Sequence, residues 1–293
     1  MESKKRYKGI IYIILSAFCF ALMSFFVRKA GNLPSIQKSF FRNLVAAIFA
    51  SLILLKDKVP FRCKKENLVY LLGRSICGTI GILCNFYAVD HLVLADASML
   101  NKMSPFFAVL FSYLLLKEKI TPPQALFVFG AFVGSLFVIK PTFSNMDFVP
   151  SLIGLCGGIG AGAAYTMVRK LGEKGEKGPF IVFFFSSFSC AVTLPWLLFD
   201  YHPMSLAQIG ILLLAGLSAA GGQFAITAAY CHAPAREISV YDYSQIIFSA
   251  CLGFFFFGQV PDLLSWLGYA IICMMAVGMF LYNKKKAKMS EER

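Results

Sequence analysis

The sequence predicts an all-α membrane protein of ten transmembrane helices, arranged as two five-helix repeats that sit in the bilayer in opposite orientations. Three observations predict it. Hydrophobic residues make up 58% of 293 residues and charged residues 15%, against roughly 45–50% and about 25% in soluble domains, and the mean hydropathy is +0.70. The basic residues segregate by side along the chain, as membrane topology requires. Residue patterns in the first half recur in the second at a fixed offset of 141 positions.

A transmembrane helix needs about 20 mostly apolar residues. In chain order such runs cover 9–27, 36–55, 68–88, 95–116, 122–140, 150–168, 179–199, 206–229, 237–258 and 263–282. The first follows a basic stretch, and no small-residue cleavage site closes it, so it reads as a retained helix rather than a signal peptide. The second carries Arg42 and the fourth Lys102, which makes them the least apolar. The connections are short and carry Gly, Pro or charge. The segment from Asn283 onward is charged and reads as a frayed tail.

With the N-terminus placed in the cytoplasm, the external segments hold only Arg28, Lys29, Lys38 and Lys140. Arg42, Arg74 and Lys102 fall inside spans, and the other 21 of the 28 Lys and Arg residues fall on the cytoplasmic side. This asymmetry predicts cytoplasmic termini, an even number of spans and a multi-pass protein of the cytoplasmic (inner) membrane. It also accounts for the net charge of +13. No continuous basic patch with interleaved aromatics supports nucleic-acid binding.

The repeat pairs Val27-Arg28-Lys29-Ala30-Gly31 with Val168-Arg169-Lys170-Leu171-Gly172. The same offset pairs Leu71-Leu72 with Leu212-Leu213, Gly81 with Gly222, Ala88 with Ala229, His91 with His232 and Ser98 with Ser239. Five spans is an odd number, so the second copy enters the membrane inverted. The predicted units are 1–141, 142–283 and a cytoplasmic tail, 284–293. Inverted repeats are a transporter architecture, with the substrate site near the midplane between the halves.

The first half also carries Leu94-Ala95-Asp96-Ala97, Ser104-Pro105-Phe106-Phe107-Ala108-Val109-Leu110 and Tyr113-Leu114-Leu115-Leu116-Lys117-Glu118-Lys119-Ile120-Thr121, followed by a Gly-bearing apolar run. These stretches resemble the repeat unit of the EamA family in the drug/metabolite transporter superfamily, whose fourth helix has a central proline and ends in a Gly-Glu-Lys-like turn. Ser104-Pro105 and Lys117-Glu118-Lys119 occupy those places. In the second half Ile246 stands for the proline, and Gly258-Gln259 with Pro261 stands for the turn. The resemblance implies ten helices, cytoplasmic termini and secondary transport of small organic solutes.

Ionisable groups inside spans are costly and are functional-site candidates by default. Lys102, six residues after Asp96, and Asp242, five after Glu237, lie on repeat-equivalent spans, because the offset aligns Asn101 with Asp242 and Lys102 with Tyr243. They are expected to line a central cavity, bind substrate and exchange a proton at Asp242; a fixed ion pair, or snorkelling toward each end, is the bland alternative. Arg42 and Arg74 lie about two turns into their spans, where either snorkelling or substrate contact fits. Three interior cations against one carboxylate favour a substrate with a carboxylate or other anionic group. Helical spacing groups Arg74, Gly78, Gly81 and Asn85 on one face; Gly216, Ala220, Gln223, Thr227 and Tyr230 on another; and Asp242, Gln245 and Ser249 on a third, flanked by Tyr241 and Tyr243. Asn101 and Tyr165 complete the candidate binding set. Interhelical hydrogen bonding would explain the neutral polar residues equally.

Gly154, Gly158 and Gly162, with Gly157 and Gly160, predict close helix packing. Phe183–Phe185 and Phe254–Phe257 are expected to face lipid or pack between helices. The histidines, His91, His202 and His232, lie near span ends. The nine cysteines are scattered without a Cys-x-x-Cys or a Cys/His cluster, so no metal is expected. No Walker motif is present, so ATP is not the direct energy source and no cofactor is implied. No Ser/Lys pair, paired acids or His-rich set supports an intramembrane enzyme. A flippase for a lipid or lipid-linked precursor is the alternative function, with Arg28, Lys29, Lys38 and Arg42 receiving a headgroup.

Overall fold

The computed structural model describes residues 2–31, 33–91, 100–139, 148–258 and 261–291. Asp96, Ser98, Lys140 and Gln259, all used above, lie outside them. Among the described residues ten helices of at least 13 residues follow one another. They are α1 (Glu2–Lys29), α2 (Ser35–Lys56), α3 (Lys65–His91), α4 (Ser104–Leu116), α5 (Pro122–Ile139), α6 (Phe148–Glu173), α7 (Gly178–Phe199), α8 (Leu206–His232), α9 (Ser244–Phe257) and α10 (Leu263–Glu291). Among the described residues there is no strand.

A bilayer offers no water to backbone amides, and helices satisfy them internally. Eight helical segments are long and apolar enough to cross a membrane, and α4 and α5 are shorter apolar helices. Large apolar side chains stand exposed on the outer faces, among them Leu55, Val69, Leu198, Phe199, Leu206, Phe255, Leu263 and Trp266. Exposure on that scale is a liability in water and the rule in lipid. The chain is a multi-pass membrane protein.

The offset of 141 reappears in the backbone. Helix α4 ends at Lys117 (φ 55°, ψ 28°), beyond which the Glu118 N–H donates to Ser112 O at 3.2 Å, and α9 ends at Gly258 (φ 62°, ψ 21°), where the cap bonds back to Gly253 O. Both cap residues and both acceptors are 141 positions apart. Glycine takes this left-handed turn freely, and Lys117 takes it at a steric cost.

Packing follows the same pairing. Helix α1 runs along α8 and α3 along α6, while α2 meets α7 and α5 meets α10. Ser16 Oγ on α1 donates to Gly222 O on α8 at 2.9 Å. In the other half, a Cβ on Gly157 would stand 3.2 Å from Gly81 O. These contacts occupy corresponding positions, since 157 and 222 lie 141 beyond 16 and 81.

The glycines of α6 serve two neighbours. Gly154, Gly158 and Gly162 face the α4 side, where added Cβ atoms would meet Leu100, Met103 and Phe107; Gly157 and Gly160 face α3. Small residues that let backbones approach are the usual solution for helix association in lipid.

The structure corrects three boundaries. The ninth span is not one helix over 237–258. A helical turn (Ala235–Ile238) and a 3-10 segment (Ser239–Tyr243) precede α9. Lys102 is not within a continuous helix either, because Leu100 and Asn101 are helical, Lys102 and Met103 form a turn, and α4 starts at Ser104. Finally, α10 continues through the expected tail to Glu291. Asn283 is buried there, accepting from Gln124 Nε2 at 3.0 Å and from Arg6 Nη1 at 2.9 Å.

A Cβ at Gly162 would lie 2.8 Å from the Ala108 amide nitrogen, which cannot step aside as a side chain can. Gly162→Ala is therefore expected to destabilise by about 1–3 kcal/mol. Gly210→Ala, where the added atom meets nothing within 4 Å, should stabilise by up to about 1 kcal/mol through helix propensity. Thermal melts of the two purified variants beside wild type should show midpoints moving in opposite directions.

Candidate functional site

The two helix breaks meet. Tyr243 Oη, in the 3-10 segment, donates to Lys102 O at 3.0 Å across 141 positions of sequence. Lys102 Nζ donates to Gln245 Oε1 at 2.6 Å and stands 3.5 Å from Asp242 Oδ2. The side chains of this pair are only 8% and 7% exposed. The Lys102–Met103 turn and the tighter-wound 3-10 segment thus bring the two charged side chains together.

Around the breaks lies a cavity of about 790 Å³ to which all ten helices contribute. Nine of the thirteen sequence-predicted residues line it: Arg42, Arg74, Asn85, Asn101, Lys102, Tyr165, Gln223, Asp242 and Gln245. The whole predicted face of α3 is present, since Gly78 and Gly81 lie beside Arg74 and Asn85, and Ser249 joins Asp242 and Gln245. Thr227, Tyr230, Tyr241 and Tyr243 do not line it. On the predicted face of α8 only Gln223 reaches the cavity, while Gly216 receives Val45 of α2 and Thr227 lies near Gly178. Tyr230 is buried and stacks behind Tyr165, with ring centroids 5.0 Å apart and planes 11° from parallel. Tyr241 and Tyr243 are spent in the packing of the 3-10 segment.

Arg42 and Arg74 do not snorkel. Both guanidiniums reach the cavity wall. Arg74 is 3% exposed, with its guanidinium carbon 3.9 Å from the centre of the Phe185 ring. Arg42 lies 5.9 Å from the Phe20 ring centre. Both Nε atoms are buried without a hydrogen-bond partner, and among the described residues no carboxylate lies within ion-pair distance of either arginine. Arg28 and Lys38, from the α1–α2 corner, also line the cavity, so five cations face one carboxylate, Asp242.

Beyond the Tyr165/Tyr230 stack lies a second charged group. Arg169 Nε, at the end of α6, donates to Glu118 Oε1 at 3.1 Å, and Arg236 Nη1 stands 3.9 Å from Glu118 Oε2. Arg169 also pairs with Glu173 at 3.3 Å. Burial pushes the Glu118 carboxyl above its ordinary value, against the opposing pull of Arg169 and Arg236.

Sequence reasoning missed Phe185 and Phe20 as wall residues, and it gave Arg28 and Lys38 a role only in the flippase alternative. Phe185 sits in an unbroken phenylalanine run whose composition cannot tell the inward ring from its neighbours. Arg28 and Lys38 lie at span ends, where basic residues are expected for topology alone. Among the described residues no group of His, Cys, Asp or Glu could hold a metal ion.

A pocket at broken helices within a ten-helix apolar bundle defines a membrane transporter. The chain belongs to the EamA-like transporter family, which it matches over residues 7–140 and again over 150–282. The pseudopaline exporter CntI of Pseudomonas aeruginosa (strain UCBPP-PA14) is 31% identical over 275 residues, covering 92% of this chain and 95% of that protein. Solute carrier family 35 member G1 of Homo sapiens is 28% identical over 284 residues, covering 92% and 77%. The riboflavin transporter of Brucella anthropi is 24% identical over 286 residues, covering 92% and 96%. A crystal structure with a TM-score of 0.81 at 14% identity, covering 94% of this chain and 98% of that one, shares the fold.

Two variants probe the charges. Lys102→Met strands a buried carboxylate and should cost about 3–5 kcal/mol, most of which Lys102→Met/Asp242→Leu should recover, because removing both partners leaves no unpaired charge. Denaturation of the single and double variants checks this. At Glu118 the folded state holds its proton more tightly than the unfolded chain does, so the wild type loses stability as pH rises above the ordinary value of 4.5. Glu118→Gln lacks that loss. Its melting temperature relative to wild type should therefore climb between pH 4.5 and 7, measured by parallel melts; a flat difference would remove the burial argument.

Proposed function

We propose that the protein is a secondary transporter that moves a small organic metabolite with an anionic group across the cytoplasmic membrane by alternating access. The observation that carries this reading is the cationic cavity at the two helix breaks. Inverted-repeat transporters place substrate sites near the midplane, where interrupted helices from both halves meet. Two inverted units, 1–141 and 142–283, are supported by the matched caps at Lys117 and Gly258 and by the matched contacts at Ser16/Gly222 and Gly81/Gly157. The basic-residue asymmetry supports cytoplasmic termini.

In that orientation the α1–α2 corner, with Arg28 and Lys38, is the external mouth, and the cavity reaches it. The Tyr165/Tyr230 stack and the Glu118/Arg169/Arg236 cluster close the cytoplasmic side. This is an outward-facing arrangement, and opening inward requires Glu118 to part from Arg169. The lining residues Lys102, Asp242, Gln245, Asn85, Asn101, Gln223 and Tyr165 contact substrate, with Arg42 and Arg74 supplying the anion contacts.

Proteoliposomes loaded with metabolite mixtures provide the test. Wild type should exchange a solute that also raises its melting temperature, and Lys102→Ala and Asp242→Ala should each lower uptake at least tenfold. A solute that stabilises wild type and both variants equally would place the site elsewhere. Uptake driven by an imposed pH gradient, and lost in Asp242→Asn, would assign proton coupling to Asp242; movement of a fluorescent lipid in its place would favour the flippase.

A further inference from the structure

We infer that the substrate carries two negative charges, and that Arg42 and Arg74 together form its anion subsite. The inference rests on the central-cavity reading above and names the substrate class. Charge accounting leads to it. Lys102 and Asp242 neutralise one another at 3.5 Å. That leaves Arg42 and Arg74 as two cations in the deep wall without a carboxylate partner among the described residues.

Two guanidiniums whose Nε atoms are buried are an unusual thing to leave uncompensated. Taking each from water is costly, and like charges in one site raise that cost further. Aromatic faces offset part of the penalty at Phe185 and Phe20, since a ring attracts a cation through its quadrupole. A ring face does not use the in-plane N–H donors. Both Nε–H groups remain without acceptors, and a guanidinium is the side chain that recognises carboxylate or phosphate oxygens in a planar, bidentate way. A monoanion would leave one net positive charge buried; a dianion makes the deep wall neutral. Either a dicarboxylate or a phosphate monoester supplies that chemistry.

Binding to purified protein in detergent at pH 7.5 tests it, using succinate, monomethyl succinate and dimethyl succinate, and in a second arm methyl phosphate and dimethyl phosphate. The expected result is a dianion that binds at least tenfold more tightly than its monoanionic ester, in one arm or both. Arg42→Gln and Arg74→Gln should each erase that gap, Arg42→Lys and Arg74→Lys should retain part of it, and the exposed Lys177→Gln should leave it intact. If methyl phosphate is the better probe, its affinity should rise with pH through about 6, where a phosphate monoester gains its second charge; succinate as the better probe points to dicarboxylates. Equal binding of dianion and monoester, both weakened by the arginine variants, overturns the charge count and leaves the cavity reading standing. A dianion preference unmoved by either arginine variant, in protein that elutes as a single species, overturns the subsite and the cavity reading together. Silence from every dianion overturns the inference.

Discussion

Backbone amides in a bilayer must be paired, and this chain interrupts its helices at two corresponding places inside the membrane. Irregular backbone at that depth is tolerated where it is buried in protein or lines a cavity. Here the breaks hold each other: the hydroxyl of Tyr243 satisfies the carbonyl of Lys102, while the side chain of Lys102 reaches Gln245 and Asp242 across the same junction. The junction sits in the wall of the cavity, and there it pairs the one lining carboxylate with one of its cations.

Around the junction the bundle is built from close approaches of small residues. Gly81 against Gly157, and Ser16 against Gly222, bring helices together on dispersion and short hydrogen bonds, because lipid provides no hydrophobic drive between them. Such surfaces carry few interlocking side chains. They suit helices that must keep a firm distance while shifting along one another, and the larger interlocking rings are kept near the cavity wall.

Much of this was legible in the chain. Composition and the long apolar runs were enough for the class of membrane protein, and the caps of α4 and α9 fall at the sequence offset of 141 even though the residues there, Lys117 and Gly258, share no chemistry. The α3 face from Arg74 to Asn85 could be read because its polar residues recur at helical spacing on an unbroken helix. On α8 the same spacing brings Gln223 to the cavity but not Gly216, Thr227 or Tyr230. Periodicity says which residues share a side, and it does not say whether that side meets a cavity or, as at Gly216 and Tyr230, another helix. The break at Lys102 had a local signal in Pro105, which sits in the first turn of α4 and has no N–H to carry the helix back to Asn101; the 3-10 segment Ser239–Tyr243 contains neither glycine nor proline, and no local signal announced it. Phe185 was hidden within a run of identical neighbours.

The stack of Arg74 on Phe185 has a kinetic meaning. A guanidinium held by a carboxylate must break a strong charge-assisted bond before it can take another anion, and must remake it afterward. A guanidinium held by an aromatic face gives up nothing, because the ring occupies a direction that no hydrogen bond uses. For the proposed anionic substrate, capture displaces no carboxylate, and release leaves behind a cation still supported by a contact worth roughly 0.5–2 kcal/mol. The barrier to capture and the barrier to release are lowered together. For a carrier, whose output is cycles per second rather than tightness of grip, a ring is the better resting partner for that charge than an acid.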